Sequence, residues 1–147
     1  DCNQDIGRYL RYDIQADKGS MFNTPPVFPI YMVGKVLKWM RDIGGIDVIE
    51  RMANEKAADL YQAIDNSEGF YRCPVEEASR SVMNVVFRLP SEDLEKTFIT
   101  EASEAGLLNL KGHRSVGGIR ASIYNAMPAD GVRALTDFMA AFRSSHS

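Results

Sequence analysis

Residues 112–126 read GHRSVGGIRASIYNA, and the rest of the chain is organised around this stretch. Between Ala105 and Ala129 the sequence has no Asp or Glu, yet it carries four basic residues, Lys111, His113, Arg114 and Arg120. The whole chain has a formal net charge of −3, so this is a local excess of positive charge. Guanidinium groups bind carboxylate or phosphate bidentately and stay charged at any working pH. The stretch therefore indicates an anion-binding site.

Three glycines lie among these cations, Gly112, Gly117 and Gly118. Glycine tolerates positive φ, and successive N–H groups in such a turn can form a concavity that binds anions. Residues 119–124 then alternate between apolar and polar side chains, which predicts a strand with one buried face. That strand would hold the guanidinium of Arg120 on a rigid element. On spacing and charge alone, the alternative is that the arginines are ordinary surface cations and the glycines only shape a hairpin.

Four blocks of sequence, in this order along the chain, carry a resemblance to a known family: GSMFNTPP at 19–26, IDNSEGFY at 64–71, RSVMNV at 80–85 and KGHRSVGGIRASIYNA at 111–126. They are similar to the phosphoserine aminotransferases, which are pyridoxal-phosphate enzymes of the aspartate-aminotransferase fold type. The resemblance covers the chain from about Tyr12 onward. It implies that this is the C-terminal portion of such an enzyme and that the larger N-terminal domain is a missing partner. The absence of an initial methionine is consistent with a fragment or a processed product.

The order of elements after Gly45 is predicted to be α-β-β-α-β-β-α, an α+β fold in which helices cover a mostly antiparallel sheet. The resemblance implies the small C-terminal domain of a fold-type-I aminotransferase, preceded by a long interdomain helix. We therefore expect residues 1–24 to be the tail of the large cofactor-binding domain. Residues 25–44 are expected to be the interdomain helix, and residues 45–147 the small domain.

The first long helix is predicted to run from Pro25 to about Ile43, with Thr24 as its N-cap and a stop at Gly44-Gly45. Because it is apolar almost all round, we expect it to be mostly buried, as a helix that bridges two domains or a dimer interface would be. Other helices are predicted at 47–64, from 91 to 106 and from 129 onward, and strands at 70–73, 82–89, 107–110 and 119–124. Residues 9–14 suggest an edge strand or an extended arm.

Transamination needs a lysine that forms a Schiff base with the cofactor and moves protons at the reacting carbon. Lys111 is the only lysine near the proposed site, and it does not match the lysine of the family, whose motif belongs to the missing portion. Lys56 and two other lysines fall on helix faces that look solvated. We assign no catalytic residue and no metal ligand, and we expect the chain to be inactive by itself.

The resemblance also implies roles for individual residues. Arg120 would bind the α-carboxylate of the substrate, and His113 and Arg114 would hold the substrate phosphate or the side-chain carboxylate of glutamate. Asn23 and Thr24 would reach the phosphate of pyridoxal 5′-phosphate in the neighbouring subunit of a homodimer. Neutral donors at a helix N-terminus suit an anion, although simple helix capping explains the same two residues. The implied reaction converts 3-phosphohydroxypyruvate and glutamate to O-phosphoserine and 2-oxoglutarate, in serine biosynthesis.

The composition bounds the remaining alternatives. With 147 residues, 45% hydrophobic and 25% charged, the sequence is typical of a soluble globular protein. Its acidic balance argues against nucleic acid as the main partner, and it has no apolar run of the ~20 residues that a membrane helix needs. Cys2 and Cys73 have no metal-binding spacing, and two free thiols suit the reducing cytoplasm. The alternatives are a stand-alone module that binds anionic metabolites and a purely structural dimerisation domain.

Overall fold

The computed structural model describes residues 6–146, so Cys2 lies outside the described residues. The chain divides into two compact units, Asp1–Ile43 and Gly44–Ser147. The second begins with the double glycine, where φ is +117° at Gly44 and +86° at Gly45, values that favour glycine. The assignment of residues 1–24, 25–44 and 45–147 to parts of a larger enzyme stays a prediction.

The N-terminal unit is helical wherever it is regular. A 3-10 turn spans Arg8–Leu10, followed by helices α1 (Tyr12–Asp17) and α2 (Val27–Asp42). The edge strand predicted at residues 9–14 is wrong. The amide of Gln15 donates to the carbonyl of Arg11 at 3.3 Å, a helical bond, and no strand among residues 6–146 lies beside this segment to pair with it. Backbone groups without a neighbouring strand must be satisfied locally.

Helix α2 begins at Val27, two residues later than predicted, and Pro26 occupies the N-cap position instead of Thr24. The reason is the pair of prolines, because a residue that precedes proline is disfavoured in the helical region. Pro29 is accommodated in the first turn, where a missing N–H costs little. The carbonyl of Pro25 accepts a 2.8 Å hydrogen bond from the amide of Val27, so the helix start is closed by the backbone alone.

The apolar surface of α2 is uncovered in this chain. None of its residues is buried, although all of them are described, and Phe28 keeps 72% of its surface exposed. The prediction that this helix is buried between two domains or in a dimer interface stays a prediction, because this chain contains neither the second domain nor a second subunit. The eight exposed large apolar residues in its first eleven positions are Val27, Phe28, Ile30, Tyr31, Met32, Val33, Val36 and Leu37.

The C-terminal unit has the predicted α+β composition. Its elements in order are α3 (Ile46–Asp65), β1 (Asn84–Phe87), α4 (Glu92–Glu104), β2 (Ile119–Ser122) and α5 (Ala129–His146). A 3-10 turn at Glu77–Ser79 precedes β1. The two strands form an antiparallel sheet in which Val86 lies opposite Arg120. The fold class and the helix positions are confirmed.

The sheet is smaller than predicted. Residues 70–73 and 107–110 are not strands, and the bridges beside them are single pairs, Arg72 with Arg88 and Lys111 with Ile119. Proline follows the first segment directly, and Asn109 adopts φ of +62°, which interrupts an extended run. The sequence pattern therefore predicted longer runs of strand than the strands that pair in the structure.

The core of this unit lies where α3, α4 and α5 meet the buried face of the sheet. Phe98 is fully buried and contacts the edges of the rings of Phe87 and Phe142, with centroid distances of 5.8 and 5.0 Å. Ser91 caps α4 as predicted, because its Oγ accepts a 3.2 Å bond from the amide of Leu94. The apolar face predicted for α3 is mostly correct, but its Met52 is 37% exposed.

A surface ion pair in this unit is expected to make a small contribution to the free energy of unfolding, and that contribution depends on pH. Arg80 donates to both carboxylate oxygens of Asp65, at 2.6 and 2.8 Å, and its guanidinium stacks over the ring of Tyr61. The hydrogen bonds from Arg80 lower the pKa of Asp65 below its ordinary value of 3.8. The stabilisation is therefore fully present above pH 3.8 and is lost as the pH falls through the lower pKa of the folded state.

Replacing Asp65 with asparagine is expected to lower the free energy of unfolding by at most about 1 kcal/mol at pH 7, because the carboxylate is half exposed. The difference from wild type should shrink as the pH falls below 3.8, which urea unfolding at several pH values measures. Asp59→Asn is the matched control, since Asp59 has no ion-pair partner within the described chain. A difference of constant size from pH 7 to pH 2 would contradict the assignment.

Candidate anion-binding site

The loop between Lys111 and β2 is closed by its own backbone. The amide of Gly112 donates to the carbonyl of Gly118 at 2.8 Å, and the carbonyl of His113 accepts from the amides of Val116 and Gly117. A Cβ on Gly112 would lie 2.0 Å from the carbonyl oxygen of Gly117, so this position requires glycine. Because these three N–H groups bond within the loop, they are not available to an anion. The loop also carries cationic side chains that can bind one.

His113 and Arg114 lie at the exposed tip of this loop. The amide of Ser115 donates to Nδ1 of His113 at 3.3 Å, and the hydroxyl of Ser115 lies 2.7 Å from the same nitrogen. In the neutral ring the proton is therefore on Nε2, which leaves Nε2 as a donor. Arg114 has no ion-pair partner among residues 6–146. The tip thus presents two donors that no side chain among the described residues binds.

Arg120 is held on β2 as predicted. Its amide donates to the carbonyl of Leu110 at 2.8 Å, its residue pair across the sheet is Val86, and its side chain is partly buried. The Nε atom is buried and has no hydrogen-bond partner, and the guanidinium forms no ion pair within the described chain. Buried polar atoms are nearly always hydrogen-bonded. The guanidinium of Arg120 therefore keeps hydrogen-bonding capacity that no described residue takes up.

A pocket of about 420 Å3 opens beside Arg120. Its walls are largely apolar and include Leu107, Leu108, Met127 and Leu135, and Arg120 is the one charged residue that lines it in the described chain. Binding sites for small molecules commonly combine apolar walls with a few fixed polar groups. A single unpaired cation in such a pocket suits one carboxylate or phosphate of a small organic anion.

Lys56 supports the end of β2, a role that the sequence analysis missed. We expected it on a solvated face, but it is only 3% exposed, and its Nζ donates to the carbonyls of Ile123, Tyr124 and Met127 at 3.0, 2.8 and 2.8 Å. Burial lowers its pKa from the ordinary value of 10.5. One signal was present in the sequence, because position 56 lies three residues after the buried Ala53.

Asn23 and Thr24 line a separate pocket in the N-terminal unit. This pocket has a volume of about 320 Å3, and Gln15, Ser20 and Tyr9 lie on its wall. No charged side chain of the described residues lines it. Thr24 does not cap α2, so helix capping does not explain the presence of these two residues. Their side chains are neutral donors in a pocket whose neighbouring prolines offer no N–H.

Residues 6–146 contain no group of three or more His, Cys, Asp or Glu side chains placed to hold a metal ion. No helix in the described part is long and apolar enough to cross a membrane.

The sequence and the fold match one family. The profile of the class-V aminotransferases matches residues 7–135, so the chain belongs to the class-V aminotransferase family. Within that family it is similar to phosphoserine aminotransferases, which confirms the resemblance of the four sequence blocks. The protein from Laribacter hongkongensis is 60% identical over 135 residues, and the one from Rhodopirellula baltica is 53% identical over 147 residues. These alignments cover 92% and 99% of this chain but only 38% and 39% of the relatives.

Solved structures give the same result. Phosphoserine aminotransferase from Bacillus circulans subsp. alkalophilus superimposes with a TM-score of 0.91 at 49% identity, over 97% of this chain and 39% of that one. The PLP-bound phosphoserine aminotransferase from Trichomonas vaginalis gives a TM-score of 0.85 at 35% identity, over 95% of this chain and 40% of that one. The chain therefore spans about two fifths of the length of the relatives it matches. The alternative of a stand-alone module is not supported.

Proposed function

We propose that this chain is the C-terminal portion of a phosphoserine aminotransferase. The whole enzyme would convert 3-phosphohydroxypyruvate and glutamate to O-phosphoserine and 2-oxoglutarate, as a cytoplasmic enzyme of serine biosynthesis. The observation that carries the proposal is the unpaired guanidinium of Arg120 in a pocket free of acidic side chains. Both amino-acid substrates present an α-carboxylate, and a fixed guanidinium is the side chain best suited to bind one.

The exposed tip would supply the second anion site. Phosphoserine and glutamate both carry a distal anion, a phosphate in one and a carboxylate in the other. Arg114 would pair with that anion, and Nε2 of His113 would donate a hydrogen bond to it. Two cationic or donor sites, one on a loop and one on a strand, fix both ends of the same substrate. This orients the bond to the amino group relative to the protein.

Asn23 and Thr24 fit the phosphate end of pyridoxal 5′-phosphate. They are neutral donors in a small pocket that no acidic side chain lines in the described chain, so a phosphate would meet no repulsion there. When bound, the cofactor supplies an electron sink for the reacting carbon. The residues of this chain would hold the phosphate, and the lysine that attaches the cofactor would belong to the large domain. The chain by itself is then inactive.

The exposed apolar face of α2 supports the rest of the assembly. On this helix Phe28, Val33 and Leu37 are each more than half exposed, and exposed apolar surfaces of this kind often mark interaction sites. In the proposed enzyme this face is covered by the large domain and by the second subunit of a homodimer. That arrangement also allows Asn23 and Thr24 to serve the cofactor of the neighbouring subunit.

Replacing Arg114 with alanine in the complete enzyme tests whether Arg114 binds the distal anion of the substrate while Arg120 binds the α-carboxylate. We expect kcat/KM for phosphoserine to fall by roughly 10- to 150-fold, because a charge-assisted hydrogen bond contributes about 1.5–3 kcal/mol. For alanine, which has an α-carboxylate but no distal anion, kcat/KM should change by less than about twofold. Steady-state kinetics with both substrates measure this.

Arg133→Ala is the control, because Arg133 lies on the exposed face of α5 and pairs only loosely with Asp130, at 3.5 Å. An equal loss for phosphoserine and alanine with Arg114→Ala would show that Arg114 does not contact the distal anion. A wild-type enzyme that transfers no amino group from phosphoserine would contradict the proposed function as a whole.

A further inference from the structure

Arg88 connects the anion-binding loop to helix α4. It lies directly after β1, and its Nη1 donates to the carbonyl of Val116, in the loop tip, at 2.8 Å. Its Nε lies 2.8 Å from Oε1 of Glu95, in the first turn of α4. The same guanidinium therefore contacts the exposed loop on one side and a buried carboxylate of α4 on the other.

Glu95 is a fixed anchor for this arginine. Its residue exposure is 6%, and its Oε1 also accepts a 3.3 Å hydrogen bond from the amide of Leu89. It lies near the N-terminus of α4, where the helix dipole favours a negative charge. A carboxylate that is buried, hydrogen-bonded and paired has little freedom, so it fixes the guanidinium of Arg88.

The loop also packs tightly against Arg88. Gly117 and Gly118 have φ of +75° and +71°, and a Cβ on Gly118 would lie 2.6 Å from Cδ of Arg88 and 3.0 Å from the carbonyl oxygen of Phe87. A Cβ on Gly117 would lie 3.2 Å from Nη1 of Arg88. These glycines therefore do more than permit positive φ, because they leave room for the arginine to reach the loop.

We infer that Arg88 and Glu95, together called the brace, position the loop tip that carries His113 and Arg114. Arg88 is thus a positioning residue for the distal anion of the substrate, and this inference rests on the proposed function. The brace bonds to the carbonyl of Val116, two residues after Arg114, whereas Arg120 lies on the sheet and is held independently. A loop that is fixed before binding loses less conformational entropy when the anion arrives. The brace therefore raises affinity for the distal anion and leaves the α-carboxylate contact unchanged.

The test uses Arg88→Met, which keeps the length of the side chain and removes both contacts, in the complete enzyme. We expect KM for phosphoserine to rise by roughly two- to tenfold, with kcat within about twofold of wild type, because one hydrogen bond contributes about 0.5–1.5 kcal/mol. Kinetics with alanine, which has no distal anion, should be unchanged. Arg88→Lys keeps the charge but cannot reach Glu95 and Val116 with a fixed fork, so it should rescue only in part. Arg51→Met is the matched control, because Arg51 pairs with Glu55 on the outer face of α3.

A second readout does not depend on the substrate. The amides of Val116 and Gly117 bond to the carbonyl of His113, so their hydrogen exchange reports opening of the loop tip. We expect exchange at both amides to accelerate about tenfold or more in Arg88→Met and to stay unchanged in Arg51→Met. Glu95→Gln, which removes the charge but keeps an acceptor, should give an intermediate acceleration.

The outcomes separate the inference from the proposed function. Unchanged exchange at Val116 and Gly117 in Arg88→Met would overturn the positioning role, whatever the substrate is. Equal losses for phosphoserine and alanine would overturn the link to the distal anion. Failure of the wild-type enzyme to use phosphoserine would be a failure of the proposed function, and it is seen without any variant.

Discussion

Replacing Arg120 with lysine is expected to lower kcat/KM for phosphoserine and for glutamate alike, by roughly 30- to 4,000-fold. The variant keeps the positive charge but loses the planar fork that binds a carboxylate bidentately. Truncating one partner of a buried, hydrogen-bonded charge pair costs about 2–5 kcal/mol, which gives this range. Both substrates lose equally because both present the same α-carboxylate to the same guanidinium. Steady-state kinetics of the complete enzyme with each substrate measure the effect.

The pattern across variants distinguishes this role from a general structural one. Alanine shares the α-carboxylate, so it should also lose activity in Arg120→Lys, although it is insensitive to Arg114→Ala. The thermal midpoint of Arg120→Lys should stay near that of wild type, because Arg120 has no ion-pair partner to lose within the described chain. Small and equal effects of both substitutions on every substrate would make Arg120 an ordinary surface cation.

Replacing Lys56 with methionine is expected to lower the free energy of unfolding by about 3 kcal/mol. Methionine fills a similar volume, but it leaves the carbonyls of Ile123 and Met127 without the ammonium donor, whereas that of Tyr124 still accepts from the amide of Met127 at 2.9 Å. Each unsatisfied buried acceptor costs about 1–3 kcal/mol, and no longer burying an ammonium offsets part of that sum. Urea unfolding at pH 7 measures the loss. Lys96→Met is the control, because Lys96 is exposed and pairs with Asp93 on the surface of α4.

The pH dependence of the same variant gives a second check. Burial lowers the pKa of Lys56 below 10.5, so the unfolded chain binds more protons than the folded one between the two values. This contribution makes wild-type stability rise with pH in that window. The rise should be missing from Lys56→Met and present in Lys96→Met. A loss at pH 7 no larger than that of Lys96→Met would contradict the role of Lys56 as the donor to this turn.

Helix positions and the strand of Arg120 could be predicted because their signals are local. The apolar stripe of α3 and the cap at Ser91 depend on residues three or four apart, and the alternation after Gly118 depends on neighbours two apart. The same rules failed where pairing decides the outcome. Residues 107–110 are apolar enough for a strand, but the positive φ of Asn109 ends the extended run.

The supporting contacts of the site could not be predicted from local patterns. Lys56 reaches carbonyls 67–71 residues away, and Arg88 reaches Val116 across 28 residues. No periodicity encodes such distances. Helix α2 shows a different limit. Its apolar side chains on all sides predict burial against other protein, and that protein is not part of this chain. Thr24 was displaced as a cap by the prolines that follow it.

A crystal structure of the complete enzyme with bound O-phosphoserine tests the central claim most directly. We predict that the α-carboxylate lies on the guanidinium of Arg120 with two N–O distances of about 2.7–2.9 Å. The phosphate should lie on Arg114 and on Nε2 of His113, with the loop tip still bonded to Arg88. A carboxylate bound elsewhere, with Arg120 contacting no part of the substrate, would contradict the account.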